Sequence, residues 1–160
     1  MATPLYVGHG LLAQTNFASS YSGSIDLGAG PDNVVVGWAY TDSSASNSRV
    51  NTLTIGGVAV TLGTDESRQT QLAIPGRMRK FKLVGSGLTG AQTVAATQTD
   101  LSGTASTAGN MHIFWAVYKD VQSVGADVDT PQAGGATQST TVSSAAGAVA
   151  AWVAMTQVSK

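Results

Sequence analysis

Cysteine is absent from the chain, which excludes a disulfide scaffold and a thiolate metal site. Charge is scarce as well. Asp, Glu, Lys and Arg make up 11 % of the residues and the formal net charge is −1, whereas an ordinary globular domain carries about 25 % charged residues. A near-neutral chain is a poor partner for nucleic acid, whose phosphates call for a surplus of Lys and Arg. No stretch approaches the ~18 consecutive apolar residues of a membrane span. The start, Met1-Ala2-Thr3-Pro4, has no basic segment followed by an apolar run, so the expectation is a complete product made in a cytoplasm without a secretory signal. Disorder is excluded too, because disordered chains combine high charge with few Val, Ile and aromatic residues.

What is present is β-forming. The 160 residues are 42 % apolar, include 19 Gly and hold roughly a fifth Ser plus Thr. This length suits one domain over 1–160 with a single core. Amphipathic helical spacing is missing, while short alternating runs bounded by Gly, Ser, Asn and Asp recur. The clearest runs from Val34 to Thr41, with Val34, Val36, Trp38 and Tyr40 on one side and Val35, Gly37, Ala39 and Thr41 on the other. Val50 to Leu62 reads as a hairpin around Gly56-Gly57, since two glycines admit the positive φ angles of a tight primed turn.

A polar strand is expected over Gln69–Ile74, closed by Pro75-Gly76. Arg79–Val84 sets Lys80, Lys82 and Val84 against Arg79, Phe81 and Leu83. Thr93–Thr99 is a small-residue strand. Met111–Tyr118 is almost wholly apolar, as suits a central strand covered on both faces. Gln138–Ser143 and Val149–Val158, the latter after an Ala146-Gly147 turn, complete the core strands of 34–158. Leu5–Gln14 and Ser24–Leu27 are weaker candidates within an N-terminal arm, 1–30. Nine or ten strands without a crossover helix predict two antiparallel sheets packed face to face, an all-β antiparallel β-sandwich.

Several pieces occur in a familiar order. They are Val50-Asn-Thr-Leu-Thr-Ile-Gly-Gly-Val-Ala-Val-Thr61, Lys80-Phe-Lys-Leu-Val84 with its Gly-rich turn, Thr93-Val-Ala-Ala-Thr97, Ile113-Phe-Trp-Ala-Val-Tyr118 with an Asp-Val-Gln turn, and Ser144-Ala-Ala-Gly-Ala-Val149. This set resembles the lectin-like jelly-roll modules (concanavalin A-like in fold) of bacteriophage virion proteins and bacterial surface proteins. The likeness spans Val34 to Met155. It departs at Lys119-Asp120-Val121, where the family has Gly before the apolar residue. It departs again at the end, one strand past the "aaG" turn, where the family has two or three more. Either the N-terminal strands replace those or a neighbour completes the sheet edge. The resemblance carries no catalytic set to this chain.

Reactive constellations are thin. His9 and His112 lie in different strands and fall short of the three or four ligands zinc needs. The carboxylates sit mostly in turns, where Asp bonds its own backbone, and not as a facing pair for glycoside hydrolysis. Asp127 and Asp129 could offer oxygens to Ca²⁺, or form a solvated turn. No phosphate-binding or dinucleotide motif appears, so no cofactor and no enzymatic activity are expected. Arg77, Arg79, Lys80 and Lys82 hold half of the eight Lys and Arg residues. They read as an edge strand guarded by charge, as a contact for an acidic neighbour subunit, or as a site for nucleic acid or an anionic glycan. Trp38, Trp115 and Trp152 are expected in the core. Tyr40 and Tyr118, at strand ends, are the candidate glycan-facing aromatics.

Two functions follow as expectations. The first is a non-enzymatic virion protein, a phage capsid decoration, head-fibre or tail subunit. It would be located in the virion, dock on other virion proteins through a surface of small neutral side chains, and self-associate, with a trimer as a natural symmetric form. The second is a carbohydrate-binding module for host attachment. Exposed Trp or Tyr ringed by Asn, Gln and Asp would mark that module.

Overall fold

The computed structural model describes residues 4–30, 33–43, 48–68, 76–121 and 124. The expected strands at Gln69–Ile74, Gln138–Ser143 and Val149–Val158 lie outside these residues, as do the Ala146-Gly147 turn, Trp152, Asp127 and Asp129.

Among the described residues the fold is all strand: β1 (Leu5–Gln14), β2 (Ser20–Asp26), β3 (Asn33–Ser43), β4 (Arg49–Ile55), β5 (Val58–Ala59), β6 (Thr61–Leu62), β7 (Glu66–Arg68), β8 (Gly76–Val84), β9 (Ala91–Thr99) and β10 (Gly109–Lys119). They form two antiparallel sheets. One has six strands in the order β1-β10-β3-β8-β6, with β7 also pairing β8; the other has the order β2-β9-β4-β5. The core lies between them. Val35, Ala39, Phe81, Leu83, Met111, Ile113 and Val117 come from the first sheet, and Ile25, Val50, Leu53, Ile55, Val94 and Ala96 from the second. The alternation of each strand puts these positions on one face. The two N-terminal strands are integral: β1 runs antiparallel to β10 from Leu5↔Lys119 to Gln14↔Met111, and β2 pairs with β9 along its whole length.

The Gly-Gly hairpin is present, with Gly56 at φ 57° and Gly57 at φ 79° and Ile55 opposite Val58. Its second arm does not stay in one sheet, as the expected Val50–Leu62 hairpin would require. After β5 the amide of Val60 still bonds the Leu53 carbonyl at 3.1 Å. Thr61 and Leu62 then pair with Lys82 and Phe81 of β8 in the opposite sheet. Val60 is buried at this crossing, so an apolar side chain anchors the point where the chain changes layers.

Turn acids behave as Asp does locally. Asp26 accepts the Gly28 amide at 2.8 Å. Asp100 Oδ1 accepts the Ser102 hydroxyl at 2.6 Å and the amides of Ser102 and Thr104, each at 2.9 Å. These hydrogen bonds, the Ser102 hydroxyl first, hold the Asp100 carboxyl below the usual range. Asp120 has φ 56°. It therefore takes the left-handed conformation, which Asp tolerates better than most side chains.

Candidate functional site: the outer face of the six-stranded sheet

The two outward faces of the sandwich differ in chemistry. On the four-stranded sheet the register aligns Ser20 with Thr97, Ser22 with Ala95 and Ser24 with Thr93, and Thr52 with Thr97. The Thr52 and Thr97 hydroxyls are 2.7 Å apart. This is a hydroxyl surface.

The six-stranded sheet turns an aromatic and apolar face outward. Its rows are read directly from the register. Tyr40 faces His112 and Met78, Trp38 faces Phe114 and Lys80, and Val36 faces Ala116 and Lys82. On β1, Leu11 lies opposite Phe114, and Tyr6 opposite Tyr118. Tyr6 and Leu11 are half exposed and Val84 nearly so, at 50 %, 51 % and 48 %. Trp38, Tyr40, Phe114 and Tyr118 keep partial exposure, and none of them packs against the core cluster. Val34, in register with Tyr118 and Val84, is buried.

Ring contacts order the two ends of this face. Tyr6 meets Tyr118 edge-on at 5.7 Å between centroids and tilts over His9 at 5.9 Å. The Tyr6 hydroxyl also hydrogen-bonds His9 Nδ1. At the other end Tyr40 tilts against His112 at 6.0 Å. His112 Nε2 lies 3.3 Å from Asp42 Oδ2, and Asp42 Oδ1 accepts the Asn110 amide at 2.9 Å. Partial burial, and then the Asp42 charge, raise the Tyr40 hydroxyl above its ordinary value of 10.0. Burial, and then Tyr6, raise Tyr118 likewise.

One prediction follows from these shifts. Below the ordinary value Tyr40 is neutral in both folded and unfolded chains and costs nothing. Above it the unfolded chain ionises freely while the folded one resists, so stability falls as pH rises through that value. Ultraviolet titration should show a delayed tyrosinate transition, shared by Tyr40 and Tyr118, that loses the amplitude of one tyrosine in Tyr40→Phe. In Asp42→Asn the Tyr40 part should move toward the ordinary value. A Tyr40 transition at its ordinary position would contradict the arrangement.

The positions singled out in the sequence separate here. Lys80 and Lys82 belong to the aromatic face. Arg77 and Arg79 belong to the opposite face, which they share with Phe81 and Leu83. Arg77 donates to Asp65 Oδ2 at 2.9 Å. Arg79 Nε donates to the Gly63 carbonyl at 3.0 Å and its Nη1 to the Val50 carbonyl, in the other sheet, at 3.2 Å. The four basic residues are therefore not one patch, nor is β8 an edge strand: β6 and β7 pair along its outer side, and Gly63 bonds the Lys80 carbonyl at 2.8 Å. Among the described residues the edge on this side of the sheet is made of very short strands, one of the ordinary ways of blunting it.

Tyr40 and Tyr118 share the outward face. They stand opposite His112 and at Tyr118 of β10 respectively, six residues apart, or about 20 Å along a strand. They form the two ends of a surface and not a single platform. Trp38 lies between them on the outward face and is not a core residue, contrary to expectation. Trp115 does pack against the core. His9 and His112 remain apart, because His9 pairs with Ala116 and His112 with Ala13. Among the described residues no group of three or more His, Cys, Asp or Glu side chains could hold a metal ion.

Trp38, Phe114, Leu11 and Tyr6 were missed as surface residues. Leu11↔Phe114 and Phe114↔Trp38 exist only once the register of three strands is known. No family model, curated protein or solved structure matches the chain.

Proposed function

We propose that this protein is a non-enzymatic structural component of a virus particle, of the bacteriophage capsid-decoration, head-fibre or tail-subunit kind. It docks on neighbouring virion proteins through the outer face of its six-stranded sheet. The observation that carries this reading is the row Leu11, Phe114 and Trp38 across β1, β10 and β3, with Tyr40 and Met78 in the next row and Tyr6 and Tyr118 at the far end of the same face. An apolar surface of this breadth on a soluble chain is characteristic of interaction sites. Aromatic residues and Met are the types enriched where proteins dock, and Lys80 and Lys82 at the margin fit a polar rim.

The two-sheet antiparallel architecture is compatible with the lectin-like jelly roll that the sequence resembles. The left-handed Asp120 fits the turn where that family has glycine. Repeated copies on a shell would multiply a modest single-site affinity, and the hydroxyl face of the other sheet would stay toward solvent.

The test is co-sedimentation of the purified protein with shells of the virus that encodes it, together with light scattering for self-association. The wild-type chain should pellet with shells in a saturable ratio. Trp38→Asp and Leu11→Asp should each weaken that association at least about tenfold, since a desolvated, unpaired charge in an interface costs more than 1.4 kcal/mol. Ser22→Asp, on the hydroxyl face, should have no effect. A wild-type chain that stays free and monomeric beside the shells would overturn the reading.

The second reading, a carbohydrate-binding module, is favoured by one observation: Tyr40 and Tyr118 share a partly exposed face with Trp38. Under that reading a glycan array gives defined hits that Trp38→Ala or Tyr40→Ala abolishes.

A further inference from the structure

The end of the sandwich where β4 and β8 begin gathers three arginines, two of which approach one carboxylate. Arg77 approaches Asp65 Oδ2 at 2.9 Å, and Arg49 Nη1 lies 3.7 Å from the same oxygen. Arg79, two residues further along the inner face of β8, reaches only backbone carbonyls, those of Gly63 and Val50. The four side chains together carry a formal charge of +2. Among the described residues, Arg49 Nε and Arg77 Nε are buried donors without a hydrogen-bond partner, and Asp65 Oδ1 is a buried acceptor without one. Buried polar atoms are almost always satisfied, so three such atoms in one charged cluster call for an occupant. The cluster is nevertheless open to solvent at its margin, where the Arg49 side chain is 31 % exposed and that of Arg77 18 %.

We propose that Arg49, Arg77 and Arg79 form an oxyanion site that takes a single phosphate group. Guanidinium forks present paired N–H groups that match the oxygens of phosphate and carboxylate, and the surplus positive charge requires an anion. The free Asp65 Oδ1 narrows the choice. It repels a fully deprotonated oxyanion but accepts a hydrogen bond from one that still carries a hydroxyl. Hydrogen phosphate, or a phosphomonoester in its singly protonated form, meets both demands; sulfate meets only the first. The site lies on the inner face and is separate from the aromatic docking surface, so it stands whether or not that surface docks.

Titration of the full-length protein with inorganic phosphate, against sulfate and chloride at matched ionic strength, tests this. Two readouts are needed: the melting temperature and the NMR signals of the arginine Nε–H groups. Phosphate should shift the Nε–H signals of Arg49 and Arg77 saturably. It should also raise the melting temperature by about 3 °C at about ten times its Kd.

Sulfate should bind more weakly than phosphate, and Asp65→Asn should remove that preference by strengthening sulfate binding severalfold. Arg49→Gln should abolish the saturable shift, whereas Lys82→Gln, on the outer face, should leave it intact. Glycerol phosphate in a parallel titration separates a phosphate carried on a larger molecule, which binds at least as well as the free ion, from free phosphate alone, which excludes the ester. Unmoved Nε–H signals overturn the proposal. So does a rise in melting temperature that never saturates and is the same in Arg49→Gln, which would identify an adventitious ion only.

Discussion

Replacing Gly37 by Ala should destabilise the protein by about 3–5 kcal/mol, at the upper end of what overpacking a core does. Gly37 sits in the middle of β3, paired with Trp115 of β10 on one side and Phe81 of β8 on the other. A Cβ added there would lie 2.7 Å from two ring carbons of Phe81 and would run into the backbone carbonyl of Phe114. The first contact could relax by rotation of a side chain. The second cannot, because β10 is held between β1 and β3 by continuous backbone pairing. Urea denaturation measures the loss. Combining Gly37→Ala with Phe81→Leu removes the ring and should recover less than half of it, since the carbonyl stays in place. A single variant within about 1 kcal/mol of the parent, inside the range of ordinary surface changes or little beyond it, would mean that the β3–β10 register is wrong.

That register also marks how far the sequence could be read. Alternation and turn residues placed β3, β4, β8, β9 and β10 close to their observed limits, and Gly56-Gly57 announced its turn. Those signals are local. The side of each strand that faces the core was less legible, above all in β3, where Val34, Val36 and Trp38 compete with Val35, Gly37 and Ala39. Both sets are apolar enough to be buried, so periodicity alone does not choose between them. The structure chooses the set with Gly37 and Ala39. Small side chains there leave room for Phe81, and Trp38 is left outside.

Alternation set the arginines of β8 against its lysines, as the structure has them, but what would hold them there was not legible. Arg77 and Arg79 alternate in phase with Phe81 and Leu83, which put them on the core-facing side, yet charged residues are ordinarily assigned to solvent. Only the carbonyls of Val50 and Gly63 and the carboxylate of Asp65 show how inward-facing guanidinium groups are accommodated. None of the three is near them in sequence. The three-residue strand β7 carries no period to detect, and the second hairpin arm reads as one strand where β5 and β6 divide between the sheets. The candidate docking face is a property of paired strands, so it became visible only with the pairing.

Gln98 shows the same limit in the core, and Gln98→Glu has the second largest expected effect. The sequence marks Thr93–Thr99 only as a strand of small residues. In the structure Gln98 is fully buried. Its Nε2 donates to the carbonyls of Ala18, at 2.8 Å, and Gly109, at 2.7 Å. Gln14 Nε2 donates to the same Ala18 oxygen at 2.8 Å. The amide thus ties the β1–β2 connection in front of one sheet to the first residue of β10 in the other.

Glutamate has the same shape but replaces the donor with an anionic oxygen that faces two carbonyl oxygens. Two hydrogen bonds are lost and a charge is buried without a partner, so the variant should lose about 4 kcal/mol near neutral pH. Gln98→Leu, which removes the bonds without adding charge, should lose about 2–3 kcal/mol.

The pH dependence separates the two causes. Desolvation raises the carboxyl of a buried Glu above its unfolded value. The penalty is therefore complete above the folded value and shrinks as pH falls through it, when the acid protonates and again donates one hydrogen bond. Urea midpoints measured at about pH 8 and about pH 5 should converge for Gln98→Glu and Gln98→Leu at the lower value, with Glu well below Leu at the higher. Equal stabilities of Gln98→Glu and the parent at the higher pH would show that the two carbonyls do not face this amide.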